Sequence, residues 1–475
     1  MAGNTNGDTC NAPESVRNLD LFVLLLVLLA WVPVPVGSNR GWSVAILQAT
    51  ALTIVGVWSL RYTRKPFAIP VVVRELHVPL SILLLWLCVP LVQIVPLPTW
   101  LVQVVSGGSD SPYSIMLVLP HSDFQYLSVD RSATLSGFLR QCALVAVFFS
   151  VLSLVTTRSR LRAVLVLLFL VGFVQALYGL TLYLGGDGIG LWNPGHEPGT
   201  VSGTYINQNH FAGLMEMSIP AGMGLLLMDW KPHESGYALK SSFRVILSLT
   251  FGRRGLVLFA LLVMFAAMIL STSRGAMGSL AAAISVVALT SAIKKRTVTR
   301  ELKLGLVAIA LVAIAMIWLG PGQLTSKLAS SGMSSNRGDL RELSYAVIAD
   351  NPIIGSGVGT YRWVLPKYKD ERFGSGFYEH AHNDYLEMLG EQGILGFSLL
   401  FLSAGLIVAG ILKANSRKKD SFVRGVLFAS LVGCMSLLMH GLVDFNLHIP
   451  ANAAWFFALL GIGAVAARMG TEEKP

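Results

Sequence analysis

Charge is what this sequence has least of. Asp, Glu, Lys and Arg make up 13% of its 475 residues, against roughly a quarter in an ordinary soluble domain, so the chain cannot clothe a water-facing surface of its size. With 53% hydrophobic residues, it is also excluded from the disordered regulators, which need low hydrophobicity and high charge. Cysteine is scarce as well. Four in the whole chain are too few and too scattered for a disulfide framework. Cys88, Cys142 and Cys434 fall in apolar runs, where a thiol acts as a small hydrophobe, and Cys10 lies in the polar N-terminal tail. No long internal repeat is visible. The net charge of +10 would raise nucleic acid as a partner for a soluble protein; in a membrane protein it is a matter of topology, and no nucleic-acid partner is implied.

Long apolar runs are what the sequence has instead. A helix rising 1.5 Å per residue crosses a hydrocarbon core of about 30 Å in some twenty residues. Twelve such runs can be marked, at 19–36, 43–60, 78–96, 137–156, 162–184, 210–228, 255–272, 275–293, 303–320, 393–412, 424–442 and 449–467. The fold class expected is therefore an all-α polytopic membrane protein of about twelve transmembrane helices. The first run lacks a small-residue cleavage site and is read as a retained helix, not a signal peptide. With the N-terminus inside, 25 of the 36 Lys and Arg residues fall on the inner side, which places both termini in the cytoplasm by the positive-inside rule. Three outer connections are then long: 97–136, 185–209 and 321–392. The chain divides into nine helices over 1–320, a large, partly helical periplasmic loop over 321–392, and three helices with a short tail over 393–475. Within the loop, Leu340, Leu343, Ala346 and Val347 recur at helical spacing, predicting a helix over 336–350 that Asn351-Pro352 stops.

Several polar residues crowd the outer side. His380-Ala-His382-Asn383-Asp384-Tyr385-Leu386-Glu387 precedes the tenth span. Asn383 or Asp384 could cap that helix, leaving His382 at its mouth to take a proton from a hydroxyl, oriented by Asp384 or Glu387; equally, the segment could be interfacial capping and nothing more. His-x-His also has metal-like spacing, but no third ligand is placed, and no metal site is assigned. Arg274, at the turn between the seventh and eighth spans, either snorkels or faces a polar cavity. Arg337 and Arg341, four residues apart, share a helix face that suits a diphosphate, or pair as a solvated face with Asp339 and Glu342. The glycine turn 355–359 lacks the Lys and the strand of a nucleotide loop and reads as a tight turn. Residues 207–210, with Asn209 and His210, could bind sugar hydroxyls or cap the sixth span. Glu216, His440, Asp444 and His448 lie at or near membrane depth and are functional candidates facing the bundle interior.

Together these motifs resemble the O-antigen ligase and O-antigen polymerase superfamily of bacterial envelope glycosyltransferases. The likeness rests on Ser273-Arg274-Gly275, on Arg337 followed by Asn351-Pro352 and Gly355-Ser356-Gly357-Val358-Gly359-Thr360, and on the His380–Glu387 stretch with Glu391-Gln392-Gly393. The resemblance implies a GT-C-like inner-membrane enzyme that takes a glycan from undecaprenyl diphosphate at the periplasmic face and passes it to a hydroxyl acceptor. It implies that Arg274 and Arg337 charge-stabilise the diphosphate and that His382 activates the acceptor. Arg341, His380, Asn383, Asp384, Asn209 and His210 are the accompanying candidates for substrate contact. Metal-independent, inverting transfer without a cofactor is implied too. The aromatic residues between 361 and 378 could stack on sugars, and the turn from Asp444 to Asn452 resembles exopolysaccharide-associated members. The acceptor stays open among lipid A core, another repeat unit and a protein hydroxyl. A lipid-linked sugar transporter is the alternative from another class, though the polar residues gather at one face and not at the midplane.

Overall fold

The computed structural model describes residues 18–105, 123–185, 199–228, 252–295, 332–373 and 376–469. Twelve principal helices are numbered here in chain order: α1 (Leu19–Trp31), α2 (Gly41–Arg64), α3 (His77–Ile94), α4 (Arg131–Leu154), α5 (Arg158–Gly185), α6 (Gln208–Met228), α7 (Arg253–Leu270), α8 (Arg274–Lys295), α9 (Gly332–Asp350), α10 (Asp384–Arg417), α11 (Ser421–His440) and α12 (Pro450–Arg468). All but α1 and α9 are long and apolar enough to cross a membrane, which makes ten candidate spans among the described residues. The chain is thus an all-α polytopic membrane protein. Its one sheet among those residues is a two-residue antiparallel pairing of Leu97–Pro98 with Phe124–Gln125.

Two expected spans come out differently, and a third lies outside the described residues. Helix α1 stops at Trp31, after 13 residues. Pro33 and Pro35 break it, and Val36, Gly37 and Ser38 all take positive φ, so it rises only about 20 Å. Helix α10 begins nine residues before the expected start at 393, because a separate turn of helix from Asp384 joins it across Gly393 (φ 60°, ψ −173°). The expected ninth span, 303–320, is the one outside.

Helices α6 and α12 form the centre, each buried throughout its apolar stretch. Helix α11 packs on α6 at glycine distance: a Cβ on Gly224 would lie 2.6 Å from the Gly425 carbonyl oxygen. The ends of the bundle differ chemically. One end carries the ion pairs Arg61–Asp20, Arg158–Asp420 and Arg468–Glu75. At the other end, the last turn of α3 and the starts of α4, α6, α8, α10 and α12 meet the last turns of α7 and α11. Backbone and side-chain bonds tie this end together: Gln93 Nε2 donates to Ile354 O and Glu391 O, Val201 N to Leu270 O, Asn452 Nδ2 to His210 O and Asp384 N to Gly441 O.

Helix α9 runs from Gly332, earlier than the spacing predicted, to Asp350. Leu340, Leu343 and Val347 turn inward with Tyr361, Val364, Leu365, Phe373 and Ala381 to form a small core separate from that of the bundle. This satellite core sits over the tied end and fixes the segment that leads into His380.

Candidate functional site

The glycine motif makes the platform. Residues 352–357 run along 390–395, with Ser356 N donating to Gly390 O, Gly357 N to Glu391 O, Ile394 N to Pro352 O and Leu395 N to Ile353 O. A Cβ on Gly355 would lie 2.3 Å from the Glu391 carbonyl carbon, and one on Gly393 equally close to Ile353. Both glycines have positive φ, a conformation that a side chain resists. The turn is therefore a backbone-to-backbone joint that sets where α10 bends. Gln93 clamps it from α3, accepting from Val358 N at 3.2 Å while its amide nitrogen bonds Ile354 O and Glu391 O.

Immediately before α10, Asn383 caps the helix by accepting from Tyr385 N and Leu386 N, each at 3.0 Å. His382 takes a left-handed backbone, φ 50°, which is uncommon for a side-chain-bearing residue and costs of order 1–3 kcal/mol. Its side chain remains 29% exposed. Three carboxylates lie close by among the histidines, and His448 reaches two of them, Asp384 and, at 3.4 Å, Glu387. Glu387 lies 2.6 Å from His380 Nδ1 and accepts from Ala381 N at 2.9 Å. Asp384 lies 2.7 Å from His448 Nδ1 and accepts from Leu447 N at 3.1 Å. The carboxylate facing His382 is that of Asp444, whose Oδ1 is 3.6 Å from His382 Nδ1. That separation is a charge contact and not a hydrogen bond. Sequence reasoning offered Asp384 or Glu387 as the orienting group; both are buried and engaged elsewhere.

Phe445 joins the histidines. His380 stacks on its ring at 4.1 Å between centroids, while His382 and His210 meet it edge-on at 5.0 and 4.6 Å. Burial works against the charge on Asp444, but the imidazoles of His382, His210 and His440 around it outweigh burial and hold its carboxyl well below the usual range. Burial likewise disfavours a charged His448, yet the Glu387 carboxylate and the hydrogen bond to Asp384 push its pKa up to about 9. At neutral pH the turn thus carries an ionised Asp444 and a protonated His448.

Beneath this layer, Glu216 is sealed in the core. Ser436 Oγ donates to it at 2.6 Å, and His440 Nδ1 lies 2.8 Å from its other oxygen. Asn446, Asn452 and Tyr205 extend the chain of contacts. The His440 ring lies against α8: a Cβ on Gly275 would come within 2.9 Å of it and 3.1 Å of Val443. Arg274, exposed at the first position of α8, thereby starts beside the turn that carries Asp444.

The remaining expected residues are dispersed. Asn209 N donates to the Asn207 side chain at 2.8 Å, so Asn207 caps α6. His210 is buried with its Nε2 3.8 Å from Asp444 Oδ1. Arg341 is half-buried on α9; Arg337 lies in the same helix, its side chain outside the described residues. Of the aromatics, Tyr361 and Phe373 belong to the satellite core, whereas Trp363 and Phe377 are exposed and meet edge to face at 6.1 Å. Among the described residues, no cluster of three or more metal-binding side chains occurs. Sequence reasoning missed Phe445 and the pairing of His382 with Asp444; sixty-two residues separate the two, and no local spacing could signal it.

Comparison with known proteins bears on one segment. Residues 259–401, under a third of the chain, match the family model described as O-antigen ligase. No curated protein matches the chain. The matched segment holds Arg274, Arg337, His380 and His382, and lies short of Asp444 and His448. Across it the chain is similar to the O-antigen ligase family, the family its motifs resemble.

Proposed function

We propose that the tied end of the bundle transfers a glycan from undecaprenyl diphosphate to a hydroxyl acceptor, in the manner of an O-antigen ligase. The observation that carries this reading is the pairing of a partly exposed His382 with a buried, ionised Asp444. A carboxylate against Nδ1 favours the proton on that nitrogen and leaves Nε2 as the base. The acceptor oxygen attacks the anomeric carbon as its proton passes to His382 Nε2. The bond from that carbon to the diphosphate oxygen breaks, and the diphosphate leaves with the electron pair. Attack opposite the leaving group inverts the anomeric centre. Arg274 and Arg337 offset the charge that develops on the diphosphate, the part a divalent cation plays elsewhere. Arg341, His380 and the exposed Trp363 and Phe377 are assigned to holding the glycan.

The excess of Lys and Arg at the opposite end supports a periplasmic site with both termini in the cytoplasm of an inner-membrane protein. Polymerisation of repeat units uses the same donor chemistry and differs only in acceptor. The test is to incubate purified protein with a defined undecaprenyl-diphosphate oligosaccharide and read products by mass spectrometry. Donor consumed only when a lipid A core or other hydroxyl acceptor is added supports ligation. A ladder of lengthened lipid-linked glycans from donor alone makes the protein a polymerase, and no turnover with any acceptor brings forward the transporter.

A further inference from the structure

Glu216 takes no part in the transfer proposed above, yet it is fully buried as the ninth residue of α6, about 12 Å from the start of that helix. A carboxyl at that depth in a membrane protein is costly and marks a function. Its contacts lead to one place. Ser436 Oγ donates to Oε1 at 2.6 Å, and His440 Nδ1 lies 2.8 Å from Oε2, with Asn446 Nδ2 on the same nitrogen at 3.1 Å. The buried His440 ring is thereby clamped along its Nδ1 edge.

The rest of His440 touches both halves of the site. Its carbonyl oxygen accepts from Val443 N at 3.0 Å and from Asp444 N at 3.1 Å, closing the turn that presents Asp444 to His382. The carbonyl of the next residue, Gly441, accepts from Asp384 N at 2.9 Å and ties that turn to the start of α10. The other ring edge presses on α8: a Cβ on Gly275 would lie 2.9 Å from His440 Cδ2 and 3.0 Å from Nε2. Gly275 directly follows Arg274.

Backbone strain brackets the contact. Thr272, two residues before Arg274, takes φ 58°, and His382 takes φ 50°. A positive φ is an outlier for a β-branched residue and persists only where the surroundings impose it. His440 reaches the helix that follows the first strained turn and, through Gly441 and Asp384, the helix that follows the second.

We propose that His440, clamped by Glu216, is a positioning residue for the transfer: it fixes the spacing between Arg274, assigned above to the diphosphate, and the Asp444–His382 pair. This rests on the transferase reading given above. The attacking and leaving oxygens lie on opposite sides of the anomeric carbon, so base and guanidinium must be held at one separation. A misplacement of roughly 1 Å costs about 10²-fold in rate. The carbonyl and the ring of one residue set that separation, and Glu216 stops the ring from turning away.

The test follows single-turnover transfer from a defined undecaprenyl-diphosphate oligosaccharide, with donor Kd and melting temperature measured on the same full-length proteins. An amide supplies a donor and an acceptor, and the Ser436 hydroxyl can take either part, so Glu216→Gln should hold the clamp and stay near the wild-type rate. Glu216→Ala should lower the rate per folded molecule by about tenfold or more and leave donor Kd unchanged. In an Asp444→Asn background it should cost little more, because both changes act on one base. From the other side, Gly275→Ala should lower the rate by pushing on the ring. It should do nothing further in a His440→Ser protein, whose small side chain leaves room, and melting temperatures should show the same coupling. This second pair carries the test where Glu216→Ala does not fold. Several results overturn the positioning role and leave the transferase reading standing: Glu216→Ala at the wild-type rate, equal losses in Glu216→Ala and Glu216→Gln, a loss seen only as weaker donor binding, losses that multiply with Asp444→Asn, or a Gly275→Ala cost that is the same with and without His440. A wild type that transfers to no acceptor refutes the transferase reading, and the positioning role with it.

Discussion

His382 Nδ1 faces Asp444 Oδ1 at 3.6 Å across the join between α10 and the turn after α11. The contact depends on a left-handed backbone at His382 and on Asp384 N bonding both Gly441 O and Asp444 O. Of the three carboxylates near the cluster, Asp444 is the one that faces His382, whereas Asp384 and Glu387 share His448 and Glu387 also holds His380, so the three acids are not interchangeable.

Replacing Asp444 with Asn should therefore lower kcat by about tenfold or more with little change in KM, since the base loses its orienting charge. Glu387→Gln should instead act through His380 and glycan affinity, raising KM. Steady-state kinetics of the two variants side by side check the assignment; identical profiles would contradict it.

Arg274→Ala should reduce turnover by about 10²-fold or more, the usual consequence of removing a group that stabilises developing charge. Arg274→Lys should recover only part, because an ammonium lacks the planar fork that grips a diphosphate. Single-turnover rates with saturating donor measure both.

The His448 pairing gives a pH dependence of defined sign. Its pKa is raised in the folded protein to about 9 from an ordinary value of about 6.5. Its contribution to stability is accordingly full below about pH 6.5 and lost as pH rises through 9. Thermal unfolding in detergent should show wild type losing its advantage over His448→Gln between pH 7 and 10. A constant difference across that range would contradict the pairing.

Gly393→Ala and Gly355→Ala should each destabilise the protein by at least about 1–3 kcal/mol from the positive φ alone. The added Cβ would meet backbone at 2.3 Å, which no side-chain motion relieves. Gly405→Ala, in open space on the same helix, should be nearly neutral. Melting temperatures of the three variants provide the comparison.

Most of the helices were legible because the signal for a span is local: an apolar run of sufficient length is its own evidence. What composition hid was backbone geometry. Pro33 and Pro35 shorten α1 although the residues around them are apolar, and Gly393 joins two helices that hydropathy reads as one span and a loop. His382, Arg274 and Glu216 could be singled out as polar residues where water is scarce. So could His440 and Asp444, but not the pairings of His440 with Glu216 and of Asp444 with His382, which form through the packing of α11 against α6 and of the turn after α11 against the start of α10. The cap at Asn383 was readable from its place before an apolar run, whereas the engagement of Asp384 by His448 was not.

The account turns on His382 as the base held by Asp444, and one measurement tests it most directly. Wild type, His382→Ala and Asp444→Asn are each given a defined undecaprenyl-diphosphate oligosaccharide and a hydroxyl acceptor, and glycan transfer is followed by mass spectrometry under single-turnover conditions. The account predicts that His382→Ala loses about 10²–10⁴-fold in rate, that Asp444→Asn falls between it and wild type, and that both still bind donor. Transfer by His382→Ala at the wild-type rate would contradict it.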